Sequence, residues 1–157
     1  MSFLDRLVGG TPDYGRVKPG DQIVAEGAPW VVRAVVEYRT ADNQWPVVQV
    51  ERDGRRCWTA VEDGGSVRYD PAPDLHLSGE GTITWEDRLY VQEEAGTATV
   101  ASTAGEVDVE PGARMSYVTL RSEADPDRWL SVETWDSGWV EISIGQVWPI
   151  ERIQHQT

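Results

Sequence analysis

The 157-residue sequence predicts an all-β fold of two tandem antiparallel five-strand meanders, on three observations. After the first few residues helical periodicity is nearly absent, and apolar and polar residues alternate in short runs, as pleated strands require. Turn-forming residues punctuate these runs about every eight to twelve positions, the rhythm of a β-meander, barrel or sandwich. One phrase is written twice: RRCWTAVED at 55–63 returns as DRWLSVETW at 127–135.

The elements follow in chain order. Residues 1–15 hold a short N-terminal helix, with Phe3, Leu4 and Leu7 on one face, broken by Gly9-Gly10-Thr11-Pro12. The first meander occupies 16–70. After a strand near 22–25, WVVRAVVEY places Trp30, Val32, Ala34, Val36 and Tyr38 on one side, with Arg33 and Glu37 on the other. VVQVERDGRRCWTAVE sets an Asp53-Gly54 turn between two β-rich runs, a strong hairpin signal. A strand near 66–70 precedes the Pro-rich linker 71–80. The second meander, 81–150, has strands expected near 82–85, 88–93, 97–101, 106–110, 115–121, 129–135 and 139–144, with 151–157 as a tail. Ile23 matches Ile83 and Trp30 matches Tyr90. Trp58, Val61 and Glu62 match Trp129, Val132 and Glu133. Two small SH3-like barrels or one larger barrel or sandwich both satisfy this pattern. Trp on both strand faces favours one compact unit.

The last hairpin fixes its own register. A loop of Asp136, Ser137 and Gly138 fits a type I turn with glycine in the left-handed position. It pairs Trp135 with Trp139, Glu133 with Glu141, Val132 with Ile142 and Leu130 with Ile144. Leu130, Val132, Val140, Ile142 and Ile144 then share the core face, and a one-residue slip would mix the faces. The opposite face carries Trp129, Ser131, Glu133 and Trp135 against Trp139, Glu141 and Ser143, with Tyr117, Thr119 and Arg121 joining from the preceding strand. In the first copy the same logic puts Val48, Val50, Cys57 and Val61 in the core, and Gln49, Glu51, Arg56, Trp58, Ala60 and Glu62 opposite. Cys57 is expected buried and inert.

Composition narrows the function classes. Net charge is −13, so a nucleic-acid partner is not expected, because such binding needs a basic surface. An anionic membrane surface is disfavoured likewise. One cysteine permits no intrachain disulfide and supports no zinc cluster. The start MSFLDRLVGG lacks a secretory pattern and no long apolar window exists, so a cytoplasmic protein without membrane insertion is expected. The outlying number is eight Trp against one Phe. EVDVE at 106–110 reads as a solvated acidic strand face, with Glu106, Asp108 and Glu110 on one side. His76 and His155 have no nucleophile that spacing can place beside them, so neither a catalytic triad nor a cofactor or metal is expected.

These residues carry a resemblance. PGDQIV at 19–24, APWVVRAVVEY at 28–38 and WLSVE at 129–133 resemble the bacterial family called domain of unknown function 4178. CWTAVE departs from its pattern at Thr59, where Leu is expected. The resemblance implies a β fold and transfers no catalytic residue. It also implies an association with membrane-stress proteins and polyamine-synthase-like enzymes.

Three functions fit. The first is a noncatalytic binding or interaction module for a protein partner, using the apolar ends or strand edges. The second is a binder of a small, polyamine-like cation, using Trp58, Glu62, Trp129, Glu133, Trp135, Trp139 and Glu141. Indole faces attract ammonium groups and carboxylates neutralise them. Like charges in a cross-strand pair destabilise each other, so Glu133 and Glu141 need an offset: Arg121, a solvent cation or a ligand. The third is an enzyme with a carboxylate acid or base in a β cavity. Against all site readings stands an architectural one, with Trp58 and Trp129 packing the halves together or lying under the C-terminal VWPIERI. A partner module predicts no enclosed pocket, and a ligand binder predicts a groove at the second hairpin.

Overall fold

The computed structural model describes residues 11–72 and 81–156. The expected N-terminal helix and most of the linker lie outside them. Eleven strands follow in order: β1 (Gln22–Ala25), β2 (Ala28–Arg39), β3 (Gln44–Arg52), β4 (Arg55–Glu62), β5 (Gly65–Pro71), β6 (Thr82–Trp85), β7 (Arg88–Gly105), β8 (Arg114–Ser122), β9 (Arg128–Trp135), β10 (Val140–Val147) and β11 (Ile150–Gln154). They form one antiparallel sheet ordered β11-β1-β2-β3-β4-β5-β10-β9-β8-β7-β6. A further pairing of β2 with β7 closes the eight strands from β2 through β5 and β10 to β7 into a barrel. One barrel therefore forms, and β1, β11 and β6 extend the sheet beyond it. Closure removes two edges that would otherwise stay open.

Turn chemistry explains the tight hairpins. Glu26-Gly27, Asp53-Gly54, Asp63-Gly64 and Glu86-Asp87 all have positive φ at both central residues, the feature of type I′ turns, whose twist matches the strands they join. The β9–β10 loop has Gly138 at φ +91, and its ladder pairs Glu133 with Glu141, Val132 with Ile142 and Leu130 with Ile144, in the register expected from sequence. Val50 pairs with Cys57 and Val48 with Thr59, also as expected.

Alternation sends one face of each strand to the barrel lumen and the other outward. Outside, Ile23, Trp30, Val32, Val48, Val50 and Cys57 pack with Tyr14, Trp148 and Ile150. A second outer core gathers Ile83, Tyr90, Leu120, Leu130, Val132 and Ile142. Trp30 meets Trp148 edge-on at 5.5 Å. Cys57 is buried, and burial pushes its thiol up to about 11.

Five expectations change. Val140, expected on the core face with Val132 and Ile142, lies beside the β9–β10 turn and stands 51% exposed. The face of 28–38 is not continuous, because a bulge at Arg33 shifts the register between Val32 and Ala34. Trp30, Val32 and Val35 therefore join the outer core, while Val36 and Tyr38 turn to the lumen. The strands expected at 88–93 and 97–101 are one strand, β7, with its own irregularity between Gln92 and Glu94. Residues 106–110 are not a strand but a loop after Gly105, whose left-handed φ of +83 and position against the Arg33 carbonyl leave no room for a Cβ. The segment expected as a tail contains β11, which pairs with β1. His155 Nδ1 lies 2.9 Å from Asp21 Oδ2, and Asp21 also accepts the Gln156 N–H at 2.7 Å and the Lys18 N–H at 3.1 Å. Burial would raise the Asp21 pKa, but these hydrogen bonds outweigh it and the net shift is downward. The Gly-Asp of PGDQIV is thus an anchor for the chain's far end.

Candidate functional site

The lumen holds a cavity of about 860 Å³. Both written copies of the repeated phrase reach it. Strand β4 supplies Trp58, Ala60 and Glu62; β9 supplies Ser131, Glu133 and Trp135; β10 supplies Glu141 and Ser143. The period of two that points Val132 and Ile142 outward points these residues inward. Aromatic rings from other strands complete the wall. Tyr38 sits 5.9 Å from Trp45 and 6.3 Å from Trp135, and Trp45 meets Tyr117 edge-on at 5.8 Å.

The carboxylates are the chemical feature. Burial, then the facing Glu141, pushes Glu133 up to about 8. Burial, then Asp108, raises Glu141. Burial pushes Glu62 up to about 7, with the Tyr69 hydroxyl, donating at 3.2 Å, pulling the other way and Glu94 pushing further. The Tyr117 hydroxyl donates to Glu94 at 3.2 Å. Among the described residues no Arg, Lys or His comes within ion-pair distance of Glu133 or Glu141. No group of three His, Cys, Asp or Glu among them could hold a metal ion.

The expected site residues divide. Trp58, Glu62, Glu133, Trp135, Trp139 and Glu141 all line the cavity, with Trp139 at the rim and 65% exposed. Trp129 does not: it is buried against Ala60, Val67 and Tyr69, so this β9 indole packs on β4 and β5. Gly145 makes that contact fit, since a Cβ there would lie 2.6 Å from Tyr69 Cε1 and 2.9 Å from Trp129 Cβ. Arg121 does not offset Glu133 and Glu141. Its guanidinium stacks 4.5 Å from the Trp129 ring centre and reaches Asp63 at 3.3 Å and Glu93 at 3.6 Å. The segment 147–153 covers the outer core around Trp30 rather than Trp58 or Trp129.

Sequence reasoning missed Tyr38, Trp45, Tyr69, Glu94 and the loop residues Val107, Asp108 and Val109, which also line the cavity. The bulge hid Tyr38. Tyr69, by contrast, could have been found: it pairs with Trp58 and so faces the same way.

A family model described as Domain of unknown function (DUF4178) matches residues 18–149, most of the chain. No curated protein and no solved structure matches it. The chain belongs to the DUF4178 family.

Proposed function

For this member of a family without an assigned activity, we propose that the barrel is a noncatalytic binding module whose lumen takes a small organic cation of the polyamine type. The observation that carries the reading is the Glu133–Glu141 pair: two carboxylates opposed in a ladder, facing an aromatic-walled cavity, with no basic partner among the described residues. A cavity of 860 Å³ is within the size range of small-molecule sites. Aromatic faces attract ammonium groups most strongly where water is sparse, and a cation entering there relieves the repulsion between the acids. Binding of this kind suits a cytoplasmic setting and the polyamine and membrane-stress association that the family resemblance implies. We also read the two meanders as equivalent copies of one unit, because β2 pairs with β7 and β5 with β10, the pairings a pseudo-twofold would give.

A second reading, docking of a protein partner, is favoured by Trp139, 65% exposed at the cavity rim, and its chain neighbour Val140, 51% exposed. An acid or base role for Glu62, desolvated and hydrogen-bonded by Tyr69, ranks third, because nothing supplies a substrate position.

Intrinsic Trp fluorescence during spermidine titration, at low and physiological salt, tests the cation reading. A saturable change in wild type that persists at physiological salt and is lost in Glu133→Gln/Glu141→Gln is expected. No change in wild type would overturn it.

A further inference from the structure

The lumen acids fall into two groups. Glu133 and Glu141 form one, beside Asp108 and the Trp139 rim. Glu62 and Glu94 form the other, each held by a tyrosine hydroxyl at 3.2 Å. The second pair also borders a smaller recess of about 250 Å³, with Asp63, Glu93, Thr119 and Trp129. Ladder register fixes the offset. Glu94 pairs with Thr119, and Thr119 with Ser131, two residues from Glu133. That is about 7 Å along the strand and about 10 Å across two strands, so about 12 Å on the diagonal.

Small hydroxylated side chains lie between the groups. Ser143, Ser131 and Thr119 sit side by side on β10, β9 and β8, and all three line the cavity. They leave width for a chain and offer hydrogen bonds to it. Three residues that border the recess already meet a cation of the protein's own: the Arg121 guanidinium lies over Trp129 and within reach of Asp63 and Glu93. This is an independent instance, next to the cavity, of an indole and two carboxylates receiving a positive group.

We propose that the lumen selects an elongated cation with a charged nitrogen at each end, one seated at Glu133–Glu141 and the other at Glu62–Glu94. The inference rests on the cation reading above and adds to it a minimum charge and length. A compact monovalent ammonium satisfies one group and leaves the other without a counter-charge from the ligand. An extended di- or triamine satisfies both, and an internal amine falls beside the hydroxyl row.

Calorimetric titration of the whole chain with butylamine, putrescine and spermidine, at one pH and ionic strength, tests this. Affinity is expected to rise along the series, by about tenfold or more overall. Glu62→Gln is expected to cut the spermidine-to-butylamine affinity ratio about tenfold. Glu94→Gln serves as the second variant if Glu62→Gln does not melt cooperatively, and the same cut is expected. Equal affinities across the series, or an unchanged ratio in the folded variant, would leave a one-group cation site and overturn the two-ended occupant. Failure of all three amines to bind would remove the cation reading itself.

Discussion

Glu133 and Glu141 face each other across the β9–β10 ladder with their carboxyls turned into the lumen. A natural barrel wall that opposes two like acids stores repulsion at that point, and protonation or a bound cation releases it.

The first prediction is an inverted pH dependence. Glu133 is raised from an ordinary 4.5 to about 8, and Glu62 to about 7. Between those limits the folded chain binds more protons than the unfolded one, so this contribution is fully present below about 4.5 and is lost as pH rises through the folded values. Melting temperature of the ligand-free protein should fall between pH 5 and pH 9, roughly the window those shifts define. Glu133→Gln should flatten the curve and stabilise the protein at its alkaline end by about 2 kcal/mol. A melting temperature that climbs across this window would contradict the buried pair.

Gly145→Ala should destabilise by about 1–3 kcal/mol, read by urea denaturation, because the new methyl collides with Tyr69 and Trp129 where β10 pairs with β5. Gly112→Ala is a poor control, since its left-handed φ of +94 carries a strain of its own.

Asp21→Asn should also cost about 1–3 kcal/mol, since a buried acceptor of two backbone N–H groups and the His155 ring loses its charge. Amide exchange should quicken in β11 before it does in the barrel strands. Uniform exchange across both would mean that the C-terminal anchor is not local.

Trp139→Ala should leave stability within about 0.5 kcal/mol, because the indole is mostly exposed. It should nevertheless weaken spermidine binding several-fold if the rim indole covers the occupant. Trp129→Phe should behave oppositely, lowering stability first, since Trp129 belongs to the packed seam.

Cys57 should resist alkylation in the native state at neutral pH and react only on unfolding, since burial holds its thiol up at about 11. Thiol labelling against denaturant checks this, and rapid native labelling would place the outer core elsewhere.

Much of this was legible because strands report themselves through a period of two. Val132, Ile142, Val50 and Cys57 declare one face by alternation alone, and Glu133, Glu141, Trp58 and Glu62 the other. Sequence could not say that the second face encloses a barrel, since closure depends on β2 meeting β7 and β5 meeting β10, contacts between distant segments with no local signature. The bulge at Arg33 was invisible for a related reason: RAVV reads as a pleat, and its register shift shows only against its partner β3. Trp129 and Trp58 are written identically in the repeat, yet one is seam and the other wall, because Gly145 gives Trp129 a place to sink.

The way the barrel closes has a kinetic consequence. Strands β1 to β5 leave the ribosome as a row of neighbours, but their barrel partners β7 and β10 are made later. Until then β5 and the Ala34–Arg39 part of β2 present bare hydrogen-bonding edges, and Trp58, Tyr69 and Glu62 stand on an open wall. Pairing at long sequence separation is slow, and an open edge waiting for its partner invites another copy of the same edge. Joining of the halves should therefore limit refolding, and loss to aggregates should grow with chain concentration during that interval.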